Sequence, residues 1–302
     1  MKLATLQKII TGSLITAAVA WWLYFYQDFP LLALGGSLLL TLGYAGVLAF
    51  EFLLVRATSL NDGDGIPRAT WSELFGAWVN EVLVAPQVFC WRQPFFADRF
   101  PDKASATTVQ QSQRGLVLVH GFFCNRGFWT PWLQQLEGRG YAFVALNLEP
   151  IFGSIDSYIG QIDAAVTRVT EVSGMPPVIV CHSMGGLAVR AWLKATQSDK
   201  RIHHVVTIGT PHLGTWLARF GHSENGRQMR VDSAWQAQLN KDLDVELNLR
   251  FTCWYSNSDN IVFPAVNATL AGADNRLIRG VAHVQLAFLP QVIDDTFAKL
   301  ES

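Results

Sequence analysis

Two long apolar runs open the chain. No charged side chain occurs from Ile9 to Gln27, and none from Phe29 to Phe50. A helix needs roughly 20 apolar residues to cross the hydrocarbon of a bilayer, and each run has that length. Asp28 and Pro30 mark the break between them, so the pattern predicts a transmembrane helical hairpin over residues 1–57. Trp21, Trp22, Tyr24 and Tyr26 crowd the end of the first run, where interfacial aromatics collect. Two other readings compete. Lys2 and Lys8 followed by an apolar stretch and Ala18-Val19-Ala20 suit a cleaved signal peptide, although the apolar stretch runs on past that site. A buried pair of globular helices fits less well, because neither run has a polar face.

Residues 58–112 read as a linker carrying one amphipathic helix. Ser59 to Arg68 is polar and glycine-rich. Thr70 and Glu73 form a capping-box pattern. Trp71, Leu74, Phe75, Trp78, Val79, Val82 and Leu83 follow at helical spacing, and Pro86 is expected to end the run. Such a helix either lies on a membrane surface or docks on the globular core. Asp102 to Arg114 has no apolar period and reads as a loop.

From Gly115 the period switches between two and 3.6 residues. Strands are expected at Leu116–Val119, Ala142–Asn147, Val178–Cys181, His204–Ile208 and Arg250–Tyr255, with a short last one at Leu277–Arg279. Helices are expected at Phe128–Gly138, Asp156–Ser173, Leu187–Ala195 and Gln291–Leu300. Alternation of this kind implies an α/β fold, a mostly parallel sheet with helices on both faces.

Charge and cysteine content narrow the function. The chain has 302 residues and a net charge of −1, without the basic excess of a nucleic-acid binder. Lys2 and Lys8 precede the first apolar run, Arg56 and Arg68 follow the second, and the connection carries only Asp28. The positive-inside rule then puts both flanks, and the α/β part, on the cytoplasmic side of the inner membrane, with Asp62 and Asp64 weighing little. Cys90, Cys124, Cys181 and Cys253 make no CxxC pair and no zinc spacing. Cys124 and Cys181 are expected to act as small apolar fillers.

The chemistry centres on Val178-Ile179-Val180-Cys181-His182-Ser183-Met184-Gly185-Gly186. A strand that ends in a serine among small residues, followed by a helix, is the layout of a nucleophile elbow. A serine hydroxyl needs a base, and the base an acid, in the chain order serine, acid, histidine. His283, in Gly280-Val281-Ala282-His283, is the one histidine after the best acid candidate. That acid is Asp259, just past a strand; Asp274 is the runner-up, in what reads as a plain turn. An oxyanion needs two aimed N–H donors, assigned to the backbone amides of Met184 and of Phe122 in Val119-His120-Gly121-Phe122. His182 and His120 are read as supporting residues, His203-His204 as a strand start, and Asn267-Ala268-Thr269 as a chance glycosylation match.

These motifs, with Thr210-Pro211-His212-Leu213-Gly214-Thr215, resemble an α/β-hydrolase of the bacterial lipase type over residues 113–302. The resemblance implies an α/β-hydrolase fold and hydrolysis of carboxylic esters of lipids through an acyl-enzyme on Ser183. It also implies a lid, about residues 212–248, whose Trp216, Leu217, Phe220, Trp235 and Leu239 either line an acyl site or pack on the core. Two departures stand out. The elbow usually begins with glycine where this chain has Cys181, so strain is expected there. Secreted relatives often hold calcium through an aspartate after the histidine, whereas Val284, Gln285 and Leu286 follow here; no metal or other cofactor is expected. The expected function is a membrane-anchored serine hydrolase whose partners are a lipid ester and the bilayer, not nucleic acid. An acyltransferase or thioesterase on the same fold is the alternative, and a non-catalytic membrane interaction protein stands further off.

Overall fold

A computed structural model describes residues 2–59, 65–104, 113–197, 199–241 and 245–301. Residues 60–64 of the linker (Asp62 and Asp64 among them), 105–112 of the expected loop and 242–244 of the lid lie outside those described.

The two apolar runs are helices, α1 (Leu3–Phe25) and α2 (Pro30–Thr58). They fold back on one another. Trp21 Nε1–H donates to the Leu32 carbonyl at 3.0 Å, and the Ser37 hydroxyl to the Ala18 carbonyl at 3.1 Å. Gly36 permits the contact, since a Cβ there would sit 1.9 Å from Trp21 Nε1. Leu23, Leu31, Leu39 and Val47 stand exposed along the pair.

α3 (Trp71–Pro86) starts at Thr70, whose capping box with Glu73 is formed as expected. The α-helix ends at Pro86, as expected, but the helical path does not. The chain passes through a π-helical stretch, Gln87–Arg92, into α4 (Gln93–Phe96). Proline removes one N–H, and the wider π turn re-routes the bonding past it rather than stopping the helix. Trp71–Phe96 thereby becomes a third helix long and apolar enough to cross a membrane, among the described residues. It docks on α2, where Trp78 Nε1–H reaches the Ala45 carbonyl and the Tyr44 hydroxyl the Val82 carbonyl, at 2.9 and 2.8 Å. It docks on the α/β part as well: Leu74 and Ala77 share one buried cluster with Phe52, Val55, Phe263 and Ala282.

The remainder alternates strand and helix: β1 (Leu116–Val119), α5 (Thr130–Arg139), β2 (Phe143–Ala145), α6 (Ile159–Ser173), β3 (Val178–His182), α7 (Met184–Thr196) and β4 (His204–Ile208). Then come α8 (Glu224–Gln228), α9 (Ala234–Asn240), α10 (Val245–Asn248), β5 (Phe251–Ser256), β6 (Asp274–Ile278), α11 (His283–Leu286) and α12 (Pro290–Glu301). The six strands lie in the order β2-β1-β3-β4-β5-β6, every neighbour parallel. Most boundaries differ from expectation by one to three residues, and two of the differences have a plain cause. α7 begins at Met184 rather than Leu187, because Ser183 alone makes the turn. The last strand begins at Asp274 rather than Leu277; Asp274, Asn275 and Arg276 are polar because an edge strand faces water, so no apolar signal marks them.

Both faces of the sheet are covered. Leu116, Leu118, Val178 and Val180 point to one side, under Trp132, Val292 and Phe297. Val117, Val119, Ile179 and Cys181 point to the other, against Val166, Leu187 and Trp192. Alternate residues feeding two cores explain why the strands read as unbroken apolar runs. Each fully buried side chain of this kind contributes about 1.5–3 kcal/mol. The sheet reverses direction of growth between β1 and β3, and the crevice at the carboxyl ends of such a pair is where ligands bind in open α/β sheets.

Candidate active site

Ser183 stands in that crevice, directly after β3, with φ 54° and ψ −128°. A non-glycine residue in this region is strained. Several contacts hold it there. Its N–H donates to the Ile208 carbonyl at 2.9 Å, and its own carbonyl accepts from Thr210 Oγ1 at 2.9 Å and Gly186 N–H at 3.1 Å. Gly185 is required by the crossing of β1, because a Cβ would come within 2.4 Å of the Val119 carbonyl. Gly186 is required by Thr210, whose Oγ1 would be 2.3 Å away. Cys181 is the expected filler but does not carry the expected strain. It is a regular, fully buried strand residue paired with Val119 and Thr207, and the positive φ belongs to Ser183. Burial, with Cys253 beside it, pushes its thiol well above the ordinary range, so it serves as filler. Cys124, in the turn after β1, is likewise pushed up to about 12 by burial.

The turn after β1 passes close to the nucleophile. A Cβ on Gly121 would lie 2.7 Å from that of Ser183. The next residues, Phe122 and Phe123, place their aromatic rings beside Phe152, and Phe123 also has positive φ, 55°. Met184 opens α7, so its N–H has no acceptor within the helix. Phe122 and Met184 therefore flank Ser183 from two elements. His120 braces the turn as expected: its Nε2 accepts from Leu148 N–H at 3.1 Å, which leaves Nδ1–H to donate to the Gly121 carbonyl at 2.9 Å. Burial lowers its pKa to about 4, only partly opposed by the Gly121 bond.

Asp259 and His283 meet in the structure. His283 Nδ1 lies 2.8 Å from Asp259 Oδ2, with both side chains buried. The other carboxylate oxygen, Oδ1, accepts from Ile261 and Val262 N–H, each at 2.8 Å. Burial alone would lower the His283 pKa, but the Asp259 charge and hydrogen bond, together with the charges of Glu81 and Glu51, outweigh it, and the net shift is upward. Among the described residues the Ser183 hydroxyl makes no hydrogen bond, and His283 Nε2 is uncommitted. Asp274 is elsewhere: it is exposed at the start of β6 and paired with Arg276 at 2.7 Å. Beneath His283 lies His182, ring centroids 4.6 Å apart, stacked on Phe128 and with Nε2 3.2 Å from the His283 carbonyl. Burial, and then the nearby His283, keep His182 well below the ordinary histidine pKa, so it supports the base without adding charge.

A cavity of about 160 Å³ opens at Ser183, lined by Phe122, Leu217, Ala218, Met229, Ile261 and Val262 among others. Of the five lid residues singled out, only Leu217 lines it. Trp216 stacks on Phe263, Phe220 is exposed, Trp235 donates to Asp156, and Leu239 is buried in the core. His212 and α9 are tied to α7 by the buried Arg190, which donates to the His212 carbonyl and to Asn240 Oδ1 at 3.2 and 2.7 Å. Asn267 is buried, which suits the chance-match reading of its sequon.

Sequence reasoning missed the acidic residues that approach from the apolar helices. Glu81 of α3 accepts Val284 and Gln285 N–H at 3.0 and 3.2 Å, and Glu51 of α2 accepts Asn260 Nδ2–H at 2.7 Å. The signal was present: a carboxylate inside an otherwise apolar helix is a functional-site indicator in its own right.

A strained serine at the carboxyl edge of a parallel sheet, a turn from β1 beside it and a buried Asp–His pair define a nucleophile-elbow α/β domain. The alpha/beta hydrolase family matches residues 116–292, more than half of the chain, and the protein belongs to that family. No curated protein matches the sequence. Among solved structures, the mature form of the lipase BlEst2 of Bacillus licheniformis is 16% identical, with a TM-score of 0.53 over 63% of this chain and 96% of its own. Aspergillus fumigatus lipase B is 19% identical, with a TM-score of 0.50 over 58% of this chain, which spans 46% of that structure's length. At such identities the likeness is one of fold.

Proposed function

We propose that the protein is a membrane-anchored serine hydrolase that cleaves carboxylic esters of lipids. The observation that carries this reading is the 2.8 Å pair of Asp259 and His283, next to a strained Ser183 that opens on an apolar cavity. Asp259 holds the proton of His283 on Nδ1, which leaves Nε2 to take the Ser183 proton as Oγ attacks the ester carbonyl. The amides of Phe122 and Met184 receive the oxyanion. His283 then protonates the departing alcohol, and water releases the acyl group from Ser183 by the same steps in reverse. The two matched structures are named lipases, and the three long apolar helices suit an enzyme that works at a bilayer. Lys2, Lys8, Arg56 and Arg68 favour a cytoplasmic face.

The test is direct. Wild type and Ser183→Ala are purified in detergent and assayed on short- and long-chain esters, with a fluorophosphonate probe as a second readout. Wild type is expected to hydrolyse and to be labelled on Ser183, and Ser183→Ala to do neither. Equal hydrolysis by the two proteins would defeat the reading.

A further inference from the structure

The apolar helices do more than lie near the α/β domain; they grip the two loops that carry Asp259 and His283. Glu81 is 1% exposed, and both of its oxygens are spent on the first amides after His283, Oε1 on Val284 and Oε2 on Gln285. Both oxygens of this side chain therefore act as acceptors for the backbone that follows His283. Glu51 Oε2 takes the Asn260 Nδ2–H, and Asn260 Oδ1 accepts the His283 backbone N–H at 3.2 Å. Two further ties flank these. Asn257 Nδ2–H donates to the Pro67 carbonyl at 3.0 Å, and Arg279 pairs with Glu73 at 2.8 Å. His283 is thus held by its own loop, by α3 and, through Asn260, by α2.

We propose that Glu81, with Glu51 acting through Asn260, is a positioning residue for His283, so that the anchor helices are part of the reacting assembly and not merely its tether. The proposal rests on the reading of Ser183, His283 and Asp259 as the reacting set. It explains why a buried acid sits on an apolar helix at the one place where that helix meets α11. It also has an electrostatic consequence. The charged groups that face His283 are Asp259 from its own side of the sheet, Glu81 from α3 and Glu51 from α2, with the uncharged His182 below. All three carboxylates favour the imidazolium. Removing one lowers the His283 pKa and moves the acid limb of activity to lower pH.

The experiment uses the full chain in detergent micelles with a soluble p-nitrophenyl ester, so that access to a bilayer plays no part. kcat and KM are measured across pH for wild type, Ser183→Ala, Glu81→Gln and Glu51→Gln. In Glu81→Gln the amide nitrogen must face one of two backbone donors, so α11 shifts. kcat is expected to fall roughly tenfold or more at a KM within about twofold. The acid limb is expected to move down by about half a pH unit. Glu51→Gln keeps an oxygen for Asn260 and removes only charge; it is expected to move the limb the same way with a smaller loss of kcat. With Ser183→Ala inactive, wild-type kcat and an unmoved limb in both variants would overturn the positioning role and leave the reacting set standing. A lower kcat with an unmoved limb would mean a structural brace alone and would also overturn it. If Ser183→Ala keeps wild-type activity, the reacting set falls and this proposal with it. Should Glu81→Gln not accumulate as folded protein, the limb of Glu51→Gln decides.

Discussion

Asp259→Asn offers the sharpest test of how the buried pair works, because the structure dictates which way the new amide must point. Oδ1 of Asp259 receives two backbone N–H groups, from Ile261 and Val262. An amide NH2 cannot take that place without setting donor against donor. The asparagine oxygen therefore stays with the two amides, and its Nδ2–H2 faces His283 Nδ1 in place of the Oδ2 now 2.8 Å away. Nδ1 must then accept, the proton moves to Nε2, and the nitrogen needed to take the serine proton is blocked. Wrong-tautomer histidines in Ser-His-Asp enzymes lose roughly ten-thousand-fold in kcat, which is about 5 kcal/mol of transition-state stabilisation. The packing barely changes, so the fold should persist. The assay is kcat on a soluble ester above the acid limb, with thermal unfolding as a control and the ring-nitrogen NMR shifts of His283 reporting its tautomer. A variant that keeps more than about a tenth of wild-type kcat would refute the reasoning. So would an equal loss in Asp274→Asn, whose side chain is exposed and paired with Arg276.

Two further outcomes are expected. Gly209 has φ +56°, and a Cβ on it would stand 3.0 Å from both Asp259 Oδ2 and His283 Nδ1. Gly209→Ala should therefore cost about 1–2 kcal/mol of stability and lower kcat by well over tenfold; unchanged kcat in steady-state assays would exclude the crowding argument. The pH profile follows from the sign of the His283 shift. Its pKa is raised because Asp259, Glu81 and Glu51 together outweigh burial, and the base must be neutral to act. Hence kcat/KM should fall as pH drops through a midpoint above the ordinary value of about 6.5, and a midpoint below 6.5 in a stopped-assay titration would contradict it.

Much of the reacting set was legible along the chain because its parts depend on local rules. Ser183 lies where an apolar strand meets a helix through small residues, and Gly185 and Gly186 are small because a Cβ would come within 2.4 Å of the Val119 carbonyl on one and 2.3 Å of Thr210 Oγ1 on the other. The choice between Asp259 and Asp274 was harder. Both follow or border a strand, and only the folded structure shows that Asp274 is exposed on the edge strand and paired with Arg276. The continuation of the third helix past Pro86 was hidden, since a π stretch has no apolar period of its own.

The sequence by itself determined the strands, the longer helices and their order. Charge-free runs long enough for a bilayer, strands fed by two cores and a serine at a strand end are all periodic or local facts, set by which side chains can leave water and which turns the backbone allows. Tertiary structure alone decided which distant groups meet. It put Asp259 against His283 across 24 residues, and Glu81 against the amides after His283 across more than 200. No local pattern encodes such pairings. They arise because burying Leu74 and Ala77 against Phe263 and Ala282 fixes the helix in place and obliges its one buried carboxylate to find donors there.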